Sequence, residues 1–285
     1  MTKILVTGGN GQLAQCLKDV VKNNDELDVN FQDLPELDIT NIQQLVSYFS
    51  KNELDYCINC AAYTAVDLAE EQSDLAYAVN ADGPKNLAEV CKKHQVKLLH
   101  ISTDFVFDGK KQIPYIETDM PNPLGVYGKS KWQGERNIQE IMEDYFILRT
   151  SWLYSEYGNN FMKTMLKLSE TRDEINVVSD QIGSLTYAGD LAEVLIKIVL
   201  SSSTNYGLYH FSNSGAISWY DFAVEIFTQF GKKIEVKPIT TKDYPTVAKR
   251  PKFSVLDTTK IENNFDCTLK DWQGSLNKVI QQLRD

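Results

Sequence analysis

The chain has 285 residues, 42% of them apolar, and a formal net charge of -10 at pH 7. Its length and composition suit one large domain or two closely joined ones with a sizeable core, and its acidity argues against a general nucleic-acid binder, which needs a basic surface. No stretch approaches the roughly 18 consecutive apolar residues of a membrane span, the N-terminus lacks a signal peptide's layout and five cysteines in so long a chain do not suggest a disulfide scaffold, so a cytoplasmic protein is expected.

Residues 3–7 read as a short apolar strand, followed by a glycine-rich turn and a helix over about 11–22. Residues 27–31 form a second strand. Residues 41–51 have helical spacing, with Thr40 as the expected cap. Residues 56–59 form a third strand. Cys57 and Cys60 are three apart there and point to opposite faces, so buried, reduced thiols are expected rather than a redox or zinc pair. Residues 70–94 carry a long helical pattern, broken near Asp82-Gly83-Pro84. Residues 96–101 are a fourth strand, and 146–148 a fifth, after a helix that begins near Tyr127.

This alternation implies βαβ units and a parallel sheet. A run such as Lys97-Leu98-Leu99-His100-Ile101 fits a sheet covered on both faces. The predicted fold is therefore α/β, a Rossmann-like doubly wound parallel sheet over 1–151, completed by about 184–203. There, residues 186–200 return a helix to the sheet. About 152–183 and 204–285 are read as a smaller mixed α/β lobe that carries substrate. Its expected elements are a helix at 160–169, a strand at 206–211, a helix capped by Ser218 running to 230, a strand at 233–238 and a final helix at 271–283.

Gly8-Gly9-Asn10-Gly11-Gln12-Leu13-Ala14 approximates the dinucleotide fingerprint. Gly8 allows the tight turn, and Gly11 lets the backbone approach a pyrophosphate at the helix N-terminus. Ala14 stands where the third glycine would, a position that needs only close helix–strand packing. The turn follows the first strand and opens the first helix, which is its confirming context. An acid about 20 residues on would hold the adenosine ribose. Asp33 is the candidate, with Asp38 in the loop beyond. No arginine follows Asp33 to receive a 2′-phosphate, which leans toward NADH over NADPH.

Small residues from Asn59 to Asp67 let that βα loop lie against the cofactor, with Tyr63 and Thr64 in reach of ribose or nicotinamide. Thr103 ends the fourth strand, and strand carboxyl ends are where ligands bind in such sheets. Its hydroxyl can donate to a substrate carbonyl oxygen, with Asp104 beside it on the substrate side. Tyr127 and Lys131 lie four apart on one helix face. The ammonium favours the phenolate, and the phenol can trade a proton near neutral pH. Tyr-x-x-x-Lys is common by itself. Its weight comes from following Thr103 at the start of a helix, in a chain that opens with a dinucleotide turn.

Turn, strand-end threonine and Tyr-x-x-x-Lys, in that order, resemble the extended short-chain dehydrogenase/reductase superfamily. Ala62-Tyr63-Thr64-Ala65-Val66-Asp67, Ser102-Thr103-Asp104-Phe105-Val106-Phe107-Asp108-Gly109, Tyr127-Gly128-Lys129-Ser130-Lys131, Gly134-Glu135, Arg149-Thr150-Ser151-Trp152 and Asp180-Gln181 with Gly183 resemble more closely the dTDP-4-dehydrorhamnose reductase family. The likeness runs from Ile4 to the Arg250-Pro251 region. It implies that NADH or NADPH reduces the C4 ketone of dTDP-4-dehydro-L-rhamnose, the last step of dTDP-L-rhamnose synthesis. It further implies that Thr103, Tyr127 and Lys131 are catalytic. Gly11, Gln12, Leu13, Asp38, Ile39, Ala62, Tyr63 and Thr64 match cofactor-contacting positions. Trp152 matches a substrate position, where an indole face under a deoxysugar is physically sensible.

Two further residues are read directly. Asn160 starts a helix, so its amide or nearby backbone could hold phosphate. Arg250, in the basic run Ala248-Lys249-Arg250-Pro251-Lys252, could take a diphosphate bidentately. Leu185 stands where family members usually have proline, so the substrate-side loop is expected to differ in shape. The expected partner is a nucleotide sugar, not nucleic acid or membrane. A homodimer is compatible with the sequence, and Mg2+ dependence is left open. Phe105 follows Asp104 where a dehydratase would carry glutamate. A 4-epimerase remains a competitor, as does a non-catalytic subunit like the regulatory chain of methionine adenosyltransferase. Against the latter stand the intact Thr103, Tyr127 and Lys131.

Overall fold

The apolar runs of the first half fold as parallel strands in a computed structural model that describes residues 1–284. They are β1 (Thr2–Thr7), β2 (Leu27–Gln32), β3 (Tyr56–Asn59), β4 (Lys97–Thr103) and β5 (Tyr145–Thr150). A sixth strand, Gly207–His210, pairs with β5, and the sheet order is Gly207–His210, β5, β4, β3, β1, β2. That strand was expected in the C-terminal lobe. It belongs to the main sheet because Tyr209 packs in the same core as Phe146 and Leu148, and the helix Thr259–Phe265 follows it there through Ile261 and Phe265. The boundary at 204 is corrected accordingly.

Alternation along each strand feeds two cores. Ile4, Val6, Ile58, Leu99 and Phe146 face α1 (Gln12–Val21) and the helix Ala188–Leu200. Leu5, Cys57, Leu98 and Ile147 face α2 (Ile42–Lys51) and the helices Gly83–His94 and Val126–Ile141. Both faces are thus covered, as the unbroken apolar runs require. Cys57 and Cys60 do pack on opposite faces and are free thiols.

β1 lies between β2 and β3, so the winding reverses beside it. There Gly8 (φ +68°) passes so close to Ala61 that a Cβ would sit 2.6 Å from the Ala61 nitrogen. Only glycine meets both conditions.

Three local expectations change. Asn41, not Thr40, caps α2, its Oδ1 accepting from the Gln43 and Gln44 amides; Thr40 donates to Asp38 instead. The break expected at Asp82-Gly83-Pro84 is a π-helical turn, Ala78–Asp82, with Pro84 in the first turn of the next helix. Thr186–Tyr187 is a short strand paired with Leu153–Tyr154, and the helix begins at Ala188.

The remaining lobe has its own core of Tyr154, Met162, Ile175, Val177, Phe222, Ile226, Leu276 and Ile280. It contains the helices Phe161–Leu168, Trp219–Phe230 and Trp272–Arg284, and the parallel pair Glu174–Val178 with Glu235–Ile239. Ser218 and Asp221 form a capping box on the second helix, as expected. Leu185 is buried in this core. Among the described residues, no helix is long and apolar enough to cross a membrane.

Helix Val126–Ile141 sits against the carboxyl end of β4 and against the π-helical turn because two of its residues have no side chain. A Cβ on Gly128 would lie 2.2 Å from the Phe105 carbonyl oxygen, and one on Gly134 2.2 Å from the Asn80 carbonyl oxygen. Gly128→Ala must push the helix off that strand end. It is expected to lose about 1–3 kcal/mol, the usual cost of overpacking, measured by urea unfolding against the unchanged chain.

Candidate active site

A cavity of about 690 Å³ opens where β1, β3 and β4 end. Asn10, Gly11, Gln12 and Leu13 form one wall, Ala62 and Thr64 another, and Thr103, Asp104, Tyr127, Lys131, Trp152 and Arg250 complete it. Residues distant in sequence are therefore gathered at one cavity.

The glycine turn is built for an anion. Gly11 is the N-cap of α1, and no side chain caps that helix, so the first-turn amides and the dipole's positive end are offered to the cavity. Gln12 reaches the lobe, donating to the Leu153 carbonyl at 3.4 Å and accepting from Ser155 at 3.2 Å. Asp33 is brought to the turn, its Oδ2 accepting from the Asn10 amide at 2.7 Å. This wall fits a dinucleotide.

Several expected contacts are placed elsewhere. Gly8, Asp33, Asp38, Ile39, Tyr63 and Asn160 do not line the cavity. Asp38 accepts from the Thr40 amide and hydroxyl. Ile39 is buried, its Cδ1 over Gly83. The Tyr63 phenol donates to Gln72, while its backbone N–H and C=O are both bound by Asn80. Asn80 also donates to Ser130 on the Tyr127 helix, so the π-helical turn ties the Ala62–Thr64 loop to that helix. Asn160 is consumed locally: its Oδ1 accepts from the Lys163 amide and its Nδ2 donates to the Ser155 and Tyr157 carbonyls. Its amide has no capacity left for a phosphate.

Tyr127 and Lys131 share a face of the helix Val126–Ile141, whose first amide is bound by the Glu70 carboxylate at 2.8 Å. Burial pushes the Tyr127 phenol up to about 12, opposed by a Thr103 hydrogen bond and reinforced by the Asp104 charge. In the protein alone the net shift of the phenol is upward, where the sequence reading expects Lys131 to lower it. Burial lowers Lys131 to about 8, opposed chiefly by the Glu135 charge. Its ammonium donates to the Ile101 carbonyl at 2.6 Å. Thr103 donates to Asp104 Oδ1 at 3.1 Å and accepts from the Phe105 amide at 3.2 Å. Burial raises Asp104 to about 6, with hydrogen bonds from Ser254 and Thr103 pulling the other way. Its Oδ2 is buried without a hydrogen-bond partner.

Trp152 adopts φ +45°, an unusual region for tryptophan. This turn stacks its indole on Trp219, ring centroids 3.7 Å apart. The face expected to lie free under a sugar is therefore partly covered. Sequence reasoning missed Trp219; its position just after the cap Ser218 was the available signal. Trp219 and Arg250 also line a second cavity of about 720 Å³ in the lobe, with Phe161, Arg172, Asp243 and Tyr244 among its walls. Arg250 is not free. Its Nη2 donates to Asp67 Oδ2 at 2.6 Å and its Nη1 to Oδ1 at 3.2 Å. Among the described residues, no group of three or more His, Cys, Asp or Glu side chains is gathered as for a metal ion.

The family described as RmlD substrate binding domain matches residues 1–285. The dTDP-4-dehydrorhamnose reductase of Aggregatibacter actinomycetemcomitans is 47% identical over 289 residues, covering 98% of each chain. The chain belongs to the RmlD family. Two solved structures carry the same likeness through the fold. The dTDP-4-dehydrorhamnose reductase of Clostridium acetobutylicum is 44% identical, with a TM-score of 0.96 over 100% of both chains. That of Bacillus anthracis, solved in complex with NADP, is 41% identical, with a TM-score of 0.95 over 99% of this chain and 100% of its own. This member of the RmlD family keeps a neutral phenol at the cavity. The absorbance of the chain and of Tyr127→Phe should therefore differ by no phenolate signal between pH 7 and 10, because ionisation near 12 leaves about 1% or less phenolate at pH 10. A difference spectrum appearing near pH 8 would contradict it.

Proposed function

We propose that the protein reduces the C4 ketone of dTDP-4-dehydro-L-rhamnose to dTDP-L-rhamnose, with Tyr127 as proton donor. The observation that carries this reading is the meeting of Tyr127, Lys131 and Thr103 with the uncapped glycine turn in one cavity. Family membership at 47% identity supports it.

A bound nicotinamide supplies the hydride; the rest falls to the chain's own residues. The glycine turn and Asp33 hold the dinucleotide's pyrophosphate and ribose. A phenol raised to about 12 is protonated at neutral pH, so Tyr127 can give its proton as negative charge develops on the ketone oxygen. Thr103 orients that oxygen once its hydroxyl turns from Asp104. The partnerless Asp104 Oδ2 then accepts from a sugar hydroxyl. Lys131 steadies the phenolate left behind and binds ribose hydroxyls. The Trp152–Trp219 pair forms the sugar's apolar wall, and the second cavity takes the nucleotide end. Arg250, between the cavities, exchanges Asp67 for the diphosphate, keeping bidentate geometry.

Asp33, with no arginine following, favours NADH. The Bacillus anthracis relative was solved with NADP, and kcat/KM for the two cofactors compares them directly. A 4-epimerase would recycle a bound cofactor without net NAD(P)H consumption, which the same assay separates. A purely regulatory subunit has no need of the assembled Thr103, Tyr127 and Lys131.

Tyr127→Phe is expected to keep cofactor binding and lose about two to four orders of magnitude in turnover, followed by NADH or NADPH consumption against nucleotide 4-keto-6-deoxysugars. Full turnover in that variant would remove Tyr127 from the reaction. Arg250→Ala should raise KM for the nucleotide sugar about tenfold or more, the loss of a charge-assisted pair, with the cofactor KM unchanged. Equal effects on both would take Arg250 out of the substrate site.

A further inference from the structure

His100 lies in the middle of β4, fully buried, in register with Asn59 on β3. Asn59 Oδ1 accepts from the Thr7 hydroxyl at 2.7 Å and from the Ala61 amide at 3.1 Å. A backbone N–H can only donate, so this atom of Asn59 must be the oxygen. The nitrogen, Nδ2, then faces His100 Nδ1 at 2.9 Å and donates to it. Burial, reinforced by the Lys131 charge, pushes His100 well below the usual histidine range. A neutral ring that accepts at Nδ1 carries its proton on Nε2. Nε2 lies 3.4 Å from Lys131 Nζ. The ring therefore turns an N–H, not a lone pair, toward the amine.

We propose that Asn59 and His100 are positioning residues for Lys131, fixing an N–H against its amine so that the ammonium is disfavoured and the group is poised to lose or regain a proton. The inference rests on the reading that Lys131 serves the reduction.

The groups facing Lys131 make the balance explicit. Glu135, on its own helix, favours the ammonium but is itself bound to Arg149 of β5. The Ile101 carbonyl on β4 also accepts from it. Cys60, after β3, is kept protonated by burial. Tyr127 lies one turn earlier and is neutral at pH 7. Of the two described groups within hydrogen-bond distance of the amine, the Ile101 carbonyl offers an oxygen and His100 presents a hydrogen. The chain Thr7–Asn59–His100 is also a dead end for protons, because Nδ1 faces an amide that cannot release one. Lys131 can exchange protons only toward the cavity.

The chain has three histidines, His94, His100 and His210, so long-range proton–nitrogen correlation spectra can resolve each ring. Single substitutions of His94 and His210 assign the third. The expected result is a neutral His100 with its proton on Nε2 from pH 6 to 9. In Asn59→Ala the fixed donor is removed without adding charge. The proton should move to Nδ1, and the Lys131 midpoint, read from the carbon-13 shift beside its amine and assigned with Lys131→Met, should rise from about 8 by about one pH unit. The alkaline limb of kcat should rise with it, while KM changes little.

A proton on Nδ1 in the unchanged chain overturns the proposal, as does an unmoved tautomer or an unmoved Lys131 midpoint in Asn59→Ala. The unchanged chain's spectrum needs no variant, so misfolding of Asn59→Ala leaves the test standing. Full turnover in Lys131→Met would instead overturn the catalytic reading of Lys131, without touching the tautomer result.

Discussion

A buried ion pair fixes where the helix carrying Tyr127 and Lys131 sits on the sheet. Arg149, at the carboxyl end of β5, donates from Nε and Nη2 to the two carboxylate oxygens of Glu135 at 2.8 and 2.6 Å, and Ser102 of β4 donates to the same carboxylate at 2.5 Å. Both charged side chains are at most 3% exposed. Such a pair gains little over a well-packed apolar alternative, but losing one partner strands the other charge at a cost of about 3–5 kcal/mol. Its effect here is on register. The pair locks the helix Val126–Ile141 to β4 and β5, and Lys131 and Tyr127 lie one and two turns before Glu135 on that helix. With Gly128 and Gly134 permitting backbone contact, the phenol and the amine are held at the strand ends and not in solvent.

The sheet and the lobe contribute differently. The sheet's carboxyl edge offers backbone amides, a carboxylate and the Tyr127–Lys131 pair on rigid elements. The lobe offers aromatic surface and a cation on loops. Gln12 reaches from the glycine turn to the lobe's first residues, and Asp67, just after the Ala62–Thr64 loop, holds Arg250 from the far side. The two cavities meet at Trp219 and Arg250. The Arg250 that borders both cavities is paired with Asp67, so one ion pair sits where the two ends of the site meet. That pair is only partly buried, so its exchange for another anion costs less than breaking the Glu135–Arg149 pair would.

Much of this was legible in the chain itself. Period-two alternation and unbroken apolar runs give parallel strands covered on both faces, because side-chain direction follows backbone geometry alone. The glycine turn, Thr103 and Tyr127-x-x-x-Lys131 were legible for the same reason: each depends on a local conformation and on position along a regular element. The sixth strand, Gly207–His210, was legible as a strand but not as part of this sheet, since four residues at a sheet edge carry no signal about which neighbour they join. His100 was read merely as part of an apolar run. Nothing local distinguishes a histidine that packs from one that meets Asn59 across a strand and Lys131 on a helix.

Residue types and spacing therefore determined the fold class, the glycine turn after the first strand and the placing of Tyr127 and Lys131 on one helix face. Only the tertiary structure decided how those groups are charged and what they touch. It half-buried Tyr127 and so raised its phenol, used up Asn160 in a helix cap, covered one face of Trp152 with Trp219 and gave Arg250 to Asp67. Charge state and hydrogen-bond capacity depend on desolvation and on partners brought from afar, and neither is a property of any stretch of sequence taken alone.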